Sequence, residues 1–203
     1  MSGANGDGSE RRLLAAVLVG GASSRFGSDK ATIDVEGRSL YAHVLHATEG
    51  VATLRALVDR SENRHTPPPG VVAFEDMTPG GGPLQAAVAV WTRFPGWDLL
   101  LLPCDLPRFT RGHAAMLGAP LALGVDARLP SVEGRSSPLP ALYAAHVAAR
   151  FEEHLLGGGR ALRRVLDGFA IEAIDERALA GAGLDPLGFH DVDTPADQAR
   201  LLR

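Results

Sequence analysis

The sequence predicts an α/β layered fold with a largely parallel central sheet. Three observations carry that expectation. Short continuous apolar runs recur along the chain and end at glycine or proline, as strands buried on both faces do. Between them lie segments whose apolar residues fall at helical spacing. The alternation of the two runs through the chain without an internal repeat, the pattern of successive strand–helix–strand units.

Residues 1–11 are rich in Gly, Ser, Asn and Asp, read as a disordered tail, and lack the apolar stretch of a signal peptide. Residues 13–19 (LLAAVLV) form a first buried strand that runs into Gly20-Gly21. Residues 32–35 alternate weakly and Glu36-Gly37 makes a turn. Leu40, Val44 and Leu45 put a helix over 39–49, and strands follow at 54–58 and 71–74. The connection at 61–70, with Pro67-Pro68-Pro69, reads as exposed. Pro83 opens a helix in which Leu84, Ala87, Val88 and Trp91 stand at i, i+3, i+4 and i+7. Residues 99–102 are the most apolar strand and stop at Pro103. A short helix at 111–117 and strands at 124–129 and 139–143 come next. Val147, Phe151 and Leu155 mark a helix over 144–156, which Gly157-Gly158-Gly159 stops. A helix near 161–167 and a strand at 170–174 follow, and Thr194-Pro195-Ala196-Asp197 caps a final helix. Residues 12–203 read as a single domain.

Composition excludes several classes of function. Twenty basic residues against 24 acidic ones give a net charge of -4, so bulk electrostatics favour neither nucleic acid nor an anionic membrane. One cysteine, Cys104, rules out an internal disulfide framework and a Cys-rich zinc site, and beside a buried strand it reads as a small filler. No apolar run approaches the roughly 20 residues of a membrane span. A cytoplasmic setting is expected. His43 and His46 share a helical face at i, i+3 and read as solvated surface.

The basic residues divide unevenly: 19 are Arg and Lys30 is the only Lys. Lys30 sits in a Gly/Ser-rich segment directly after the first strand, where an ammonium and a guanidinium are not equivalent. That segment, LVGGASSRFGSDK from Leu18 to Lys30, can turn tightly and present backbone N–H groups to an anion. Arg25 and Lys30 add two cations, and together they suit a polyphosphate. The segment lacks the Gly-Lys-Ser/Thr of a Walker A loop and the spacing of the dinucleotide fingerprint.

Three further segments carry chemistry. In FEDMTPGGGPL, Asp76 follows a strand and the glycines precede a helix N-terminus. In LLLLPCDLP, Asp105 stands just past the carboxyl end of the most apolar strand, where open α/β sheets bind ligands and where a carboxylate can hold Mg²⁺. In FHDVDTP, Asp191 and Asp193 stand one residue apart and share a face if extended; either could join Asp105 around a metal, or the stretch could simply cap the last helix.

Taken together, in order, these motifs resemble the MobA-like nucleotidyltransferases, most closely the molybdenum cofactor guanylyltransferases. The family's Leu-Ala-Gly-Gly, Ser-x-Arg-Met-Gly and Asp-Lys are matched by Leu18 to Gly21, Ser23 to Gly27, and Asp29-Lys30. Its Asp…Gly-x-Gly-Pro-Leu is matched by Asp76 and Gly80 through Leu84, its Pro-Cys-Asp-x-Pro by Pro103 to Pro107, and its Pro-Leu-x-Ala-Leu-Tyr by Pro138 to Tyr143. Asp191-Val192-Asp193-Thr194-Pro195 stands where the family has Asn-Val-Asn-Thr-Pro.

The resemblance implies a three-layer, Rossmann-like nucleotidyltransferase fold. It implies that Leu18, Val19, Gly20 and Gly21 line a GTP site, that Lys30 contacts phosphates, that Asp59 and Asp76 contact nucleotide, and that Asp105 binds Mg²⁺ and nucleotide. Arg25, Lys30 and Asp105 are the implied catalytic residues, with Asp191 or Asp193 as a second metal ligand. The implied reaction moves GMP from GTP to the phosphate of a molybdopterin-type cofactor and releases pyrophosphate. A monomer is expected, in transient contact with pterin-delivering or molybdoenzyme-maturation proteins. The alternatives are a molybdopterin cytidylyltransferase, another small-molecule phosphate nucleotidyltransferase, and a degenerate nucleotide-binding module. Gly20, where cytidylyltransferases typically carry Ala, leans toward guanine.

Overall fold

The computed structural model describes residues 11–19, 29–60, 65–76 and 81–201. Its centre is an eight-stranded sheet. In chain order the strands are β1 (Leu13–Leu18), β4 (Leu54–Arg60), β5 (Val72–Asp76), β6 (Asp98–Pro103), β7 (Ala127–Val132), β8 (Arg135–Ser136), β9 (Ala141–Tyr143) and β10 (Ile171–Ile174). They are arranged β10-β7-β9-β6-β1-β4-β5, with β8 on β7. A separate small hairpin pairs β2 (Asp34–Val35) with β3 (Arg38–Ser39). Its turn, Glu36-Gly37, and the β7–β8 turn, Glu133-Gly134, have positive φ at both residues, the twist that two-residue hairpins need. Pairing is parallel except around β9, which opposes both β6 and β7, and in the two hairpins.

The apolar run of β1 is continuous because both faces of the sheet are covered. Leu14 and Ala16 face one hydrophobic cluster; Leu13, Ala15 and Val17 face the other. The first cluster is closed by α2 (Gly82–Arg93), α4 (Ala148–Leu156) and the short α5 (Leu162–Val165), through Leu84, Val90, Trp91, Phe151, Leu162 and Val165. The second is closed by α1 (Leu40–Ala47), α3 (Arg111–Leu117) and α6 (Glu176–Gly181), through Val44, Leu45, Ala114, Leu117 and Leu179. The result is three layers, helix–sheet–helix. α7 (Pro195–Leu201) ends the described chain; Thr194 and Asp197 cap it reciprocally, the Asp197 carboxylate accepting from Thr194 N–H and Oγ1 while Asp197 N–H donates to Thr194 Oγ1.

Several boundaries differ from the sequence expectation, each for a physical reason. The strand expected at 124–129 lies at Ala127–Val132 and contains Pro130. Its last partner on β9 is Arg128, so Pro130 sits where the strand has a ladder only toward β10. α6 escapes a periodicity reading because it is six residues long with one buried apolar side chain, and is set instead by Asp175, whose side chain accepts from Ala178 N–H. His43 is not fully solvated: its Nε2 donates to the Phe109 carbonyl, and burial holds its pKa below the ordinary value. The connection at 61–70 is not wholly exposed either, since the His65 side chain is 8% accessible. Arg11, placed in the tail by the sequence, donates from Nε to Asp98 Oδ2 at 2.9 Å.

Arg128 is the main buried polar anchor outside the cleft described below. Only 6% exposed, it grips Glu172 with two bonds of 2.9 Å and donates to the carbonyls of Leu117, Ala119 and Pro120 after α3. Glu172 is 42% exposed, so the ion pair itself contributes little; the carbonyls are what lose a partner. Arg128→Met is expected to lower stability by on the order of 3 kcal/mol in urea unfolding. A loss within a few tenths of a kcal/mol would show that water replaces the guanidinium.

Candidate functional site

The carboxyl ends of β1, β4, β6 and β7 lie along one edge of the sheet, and a cleft of about 490 Å³ opens there. Such a volume suits a small-molecule ligand. Leu18 and Val19 line it from β1, Val58 from β4, Pro103 to Leu106 from β6, and Gly82, Pro83 and Ala86 from the start of α2. Its far wall holds Pro130, Val132, Glu133, Arg135, Ser137 and Leu139 around the β7–β8 hairpin. Phe189, His190 and Asp191 close one side. In open α/β sheets ligands bind in the crevice outside the carboxyl ends of the strands, and Gly82, Pro83 and Ala86 bring the start of α2 to it.

Asp105 stands two residues past the end of β6. Its backbone carbonyl accepts from Val192 N–H at 3.0 Å, which draws the segment 191–193 against the cleft. Carboxylate oxygens of Asp105, Asp191 and Asp193 then lie within 4.8 Å of one another. Burial, with Asp191 alongside, pushes the Asp105 carboxyl up to about 6, and burial next to Asp193 raises Asp191 as well. Asp105 Oδ1 is buried without a hydrogen-bond partner among the described residues. An orphaned anionic oxygen among further carboxylates is the donor set of a hard dication, whose opposed oxygen ligands stand roughly 4 Å apart. The residues therefore fit Mg²⁺.

Lys30 lies beside this group. Its Nζ donates to Asp193 Oδ1 at 2.8 Å, and its side chain is 14% exposed. It opens a single 3-10 turn, Lys30–Thr32, capped by Asp29, whose Oδ1 accepts from Ala31 N–H. Cys104, next to Asp105, is half-buried, and burial pushes its thiol far up, which leaves it inert as a nucleophile.

The cleft thus joins Leu18, Val19 and Asp105, and the acidic group joins Asp105, Asp191, Asp193 and Lys30. Asp59 is 6% exposed at the end of β4, set back from the cleft wall, and its Oδ2 accepts from the backbone N–H and Nδ1 of His65 at 2.6 and 2.9 Å. Asp76 ends β5, and its side chain is outside the described residues, as are Gly20, Gly21 and Arg25.

Two sets of residues went unread in the sequence. Arg135, Glu133 and Ser137 line the far wall, signalled only by the Glu133-Gly134 turn. His65 bridges two carboxylates from a proline-rich loop that gave no periodic signal. Burial alone would lower its pKa, but the hydrogen bonds to Asp59 and Asp29 outweigh it and raise the value above the ordinary 6.5. A raised folded pKa stabilises fully below 6.5 and loses its effect as pH climbs through the raised value. The stability difference between wild type and His65→Asn is therefore expected to be largest at mildly acid pH and to shrink as pH rises above 6.5. A difference that grows with pH in parallel melts would contradict the imidazolium.

A three-layer fold that gathers one lysine and three carboxylates at the carboxyl edge of its sheet has the groups that can contact phosphate and coordinate a hard cation. The chain belongs to the MobA-like NTP transferase domain family, whose model matches residues 15–175. It is 34% identical over 191 residues to a probable molybdenum cofactor guanylyltransferase of Deinococcus radiodurans, covering 93% of each chain. It is 35% identical over 197 residues to a molybdenum cofactor guanylyltransferase of Acidiphilium cryptum, covering 94% of each. A crystal structure of molybdopterin-guanine dinucleotide biosynthesis protein A from Archaeoglobus fulgidus shares the fold, with a TM-score of 0.75 at 24% identity over 94% of this chain and 97% of that one. The chain is accordingly a nucleotidyltransferase by family.

Proposed function

We propose that this protein transfers GMP from GTP to the phosphate of a molybdopterin-type cofactor, releasing pyrophosphate and forming a guanine dinucleotide cofactor. The observation that carries the proposal is the meeting of Lys30 with Asp105, Asp191 and Asp193 at the carboxyl edge of the sheet. The names of the curated relatives support the choice of GTP and of a molybdenum cofactor acceptor. The reaction asks for no protein nucleophile. It asks for two phosphates to be held in line and for charge to be neutralised as pyrophosphate leaves.

The chain's residues suit those tasks. Leu18 and Val19 offer an apolar wall for the nucleoside end of GTP. Lys30 and Arg25 supply positive charge to the triphosphate, and Gly20 and Gly21 allow its close approach. Asp76 completes the nucleotide side, and Asp59, set back from the cleft wall and holding His65, acts on it from behind. Asp105, with Asp191 or Asp193, would hold Mg²⁺, which when bound supplies Lewis-acid polarisation of phosphate oxygens. The far wall, with Arg135 and Ser137, is left for the acceptor. The cytoplasmic, monomeric setting and the transient contacts with delivery or maturation proteins belong to the same proposal.

A thermal-shift panel tests the nucleotide side: GTP, CTP, UTP and ATP, each with and without Mg²⁺, on wild type and Lys30→Ala. A ligand bound only by the folded state adds about 2.7 kcal/mol at 100 Kd. The expected result is a GTP-selective, Mg²⁺-assisted shift that is smaller in the variant. A CTP-selective shift would move the assignment to a cytidylyltransferase, and a Mg²⁺-independent shift without turnover to a nucleotide-binding module.

A further inference from the structure

His65 is held by more polar bonds than a loop residue needs. Its backbone N–H and Nδ1 both donate to Asp59 Oδ2, at 2.6 and 2.9 Å, and its Nε2 donates to Asp29 Oδ2 at 2.7 Å. The ring is 8% exposed and packs edge-to-face with Tyr41 at 5.1 Å between centroids. Tyr41 in turn donates its hydroxyl to the Thr66 carbonyl at 3.0 Å, fixing the loop one residue on. With both ring nitrogens facing carboxylates, the doubly protonated imidazolium is the form that both bonds favour.

The far end of this bridge matters for the cleft. Asp29 uses its two oxygens differently: Oδ2 takes the His65 ring, while Oδ1 caps the 3-10 turn that begins at Lys30. The Asp29 carboxylate is thus pinned between His65 and the backbone that carries Lys30. Asp59, at the end of β4 between β1 and β5, is the fixed point to which the turn is tied. In a site where the lysine must meet phosphates within a few tenths of an ångström, a rigid tie to the sheet acts on affinity and not only on folding.

We propose that His65 is a positioning residue: through Asp29 it sets the turn that presents Lys30 to the nucleotide phosphates. The inference rests on the reading of Lys30 as a phosphate-binding residue. It assigns a role to the imidazolium that neither the fold nor the acidic group requires. It also divides His65 into two functions by atom. Nδ1 holds the loop to Asp59, and Nε2 holds Lys30's turn through Asp29.

That division gives the test. In His65→Asn the amide nitrogen can replace Nδ1 but cannot reach Asp29; in His65→Gln it can replace Nε2. Affinity for Mg²⁺-GTP is measured by calorimetry on wild type, both variants, Lys30→Ala and the double variant Lys30→Ala/His65→Asn, with circular dichroism confirming the fold of each. The Asn variant is expected to bind roughly tenfold more weakly and the Gln variant to recover most of that loss. In the Lys30→Ala background the Asn change is expected to cost nothing further, because the effect passes through Lys30. Equal losses in Asn and Gln, or an Asn loss that persists without Lys30, would overturn the proposal. A second arm is independent of nucleotide. Lys30 is the only lysine, so acylation by an amine reagent, mapped to its peptide, reports its environment directly. Faster acylation in the Asn variant than in the Gln variant supports the positioning role; identical rates overturn it. If wild type binds no nucleotide, the guanylyltransferase reading fails, and the labelling arm still judges His65.

Discussion

Lys30→Ala is expected to lose on the order of 10²-fold or more in kcat while its stability stays close to wild type. The two halves of that statement come from different physics. The Lys30–Asp193 pair contributes little to the fold, because Asp193 is 56% exposed and an ion pair open to water is worth about 1 kcal/mol or less. The value of Lys30 in turnover is larger, since a preorganised cation that meets charge building on leaving pyrophosphate acts in a partly dry cleft. Lys30→Arg sharpens the test. Arg is abundant elsewhere in this chain, yet the position holds the sole lysine. A planar guanidinium is broader than an ammonium and would meet both Asp193 and the phosphates at a different angle, so the Arg variant is expected to recover only a small part of the loss. Steady-state kinetics with GTP and an acceptor read the effect. Near-wild-type turnover in either variant would remove Lys30 from the mechanism.

Asp105→Asn is expected to lower kcat by a similar factor, on the order of 10²-fold or more, and to make the metal-free protein more stable. Metal-free wild type keeps a buried carboxylate oxygen with no partner among the described residues, next to two more carboxylates. Removing that charge without changing shape is expected to gain about 1–3 kcal/mol in melts with EDTA. Adding Mg²⁺ should then stabilise wild type and leave the variant unmoved. An Asn variant less stable than wild type without metal would mean that Asp105 serves the fold and not a metal.

The parts of the molecule that were legible in the sequence are those with strong local signals. The seven-residue apolar run that stops at Gly20 carries the signature of a strand covered on both faces, and β1 is that strand. Asp105 was marked by its place after four consecutive leucines, 99–102, because a carboxylate there must stand at the rim of the sheet. Asp191 and Asp193 could be placed on one face by their spacing, but not beside Lys30, because the bond between Asp105 and Val192 that draws them in joins segments 87 residues apart. His65 could not be read at all. Its neighbours are prolines, its partners are Asp59 and Asp29, and only the parallel pairing of β4 beside β1 brings them together. Arg128 was hidden for a similar reason: in sequence it interrupts an apolar strand, and only the fold reveals the carbonyls it satisfies. Long-range polar bonds are set by topology, and composition leaves no trace of them.

The measurement that bears most directly on the central claim is pyrophosphate release in the presence of a molybdopterin-type acceptor, run with GTP, CTP, UTP and ATP under Mg²⁺. The account predicts release with GTP that depends on the acceptor and on Mg²⁺, with a guanine dinucleotide as the second product. Release with CTP in preference to GTP, or no acceptor-dependent release with any nucleotide from folded protein, would contradict it.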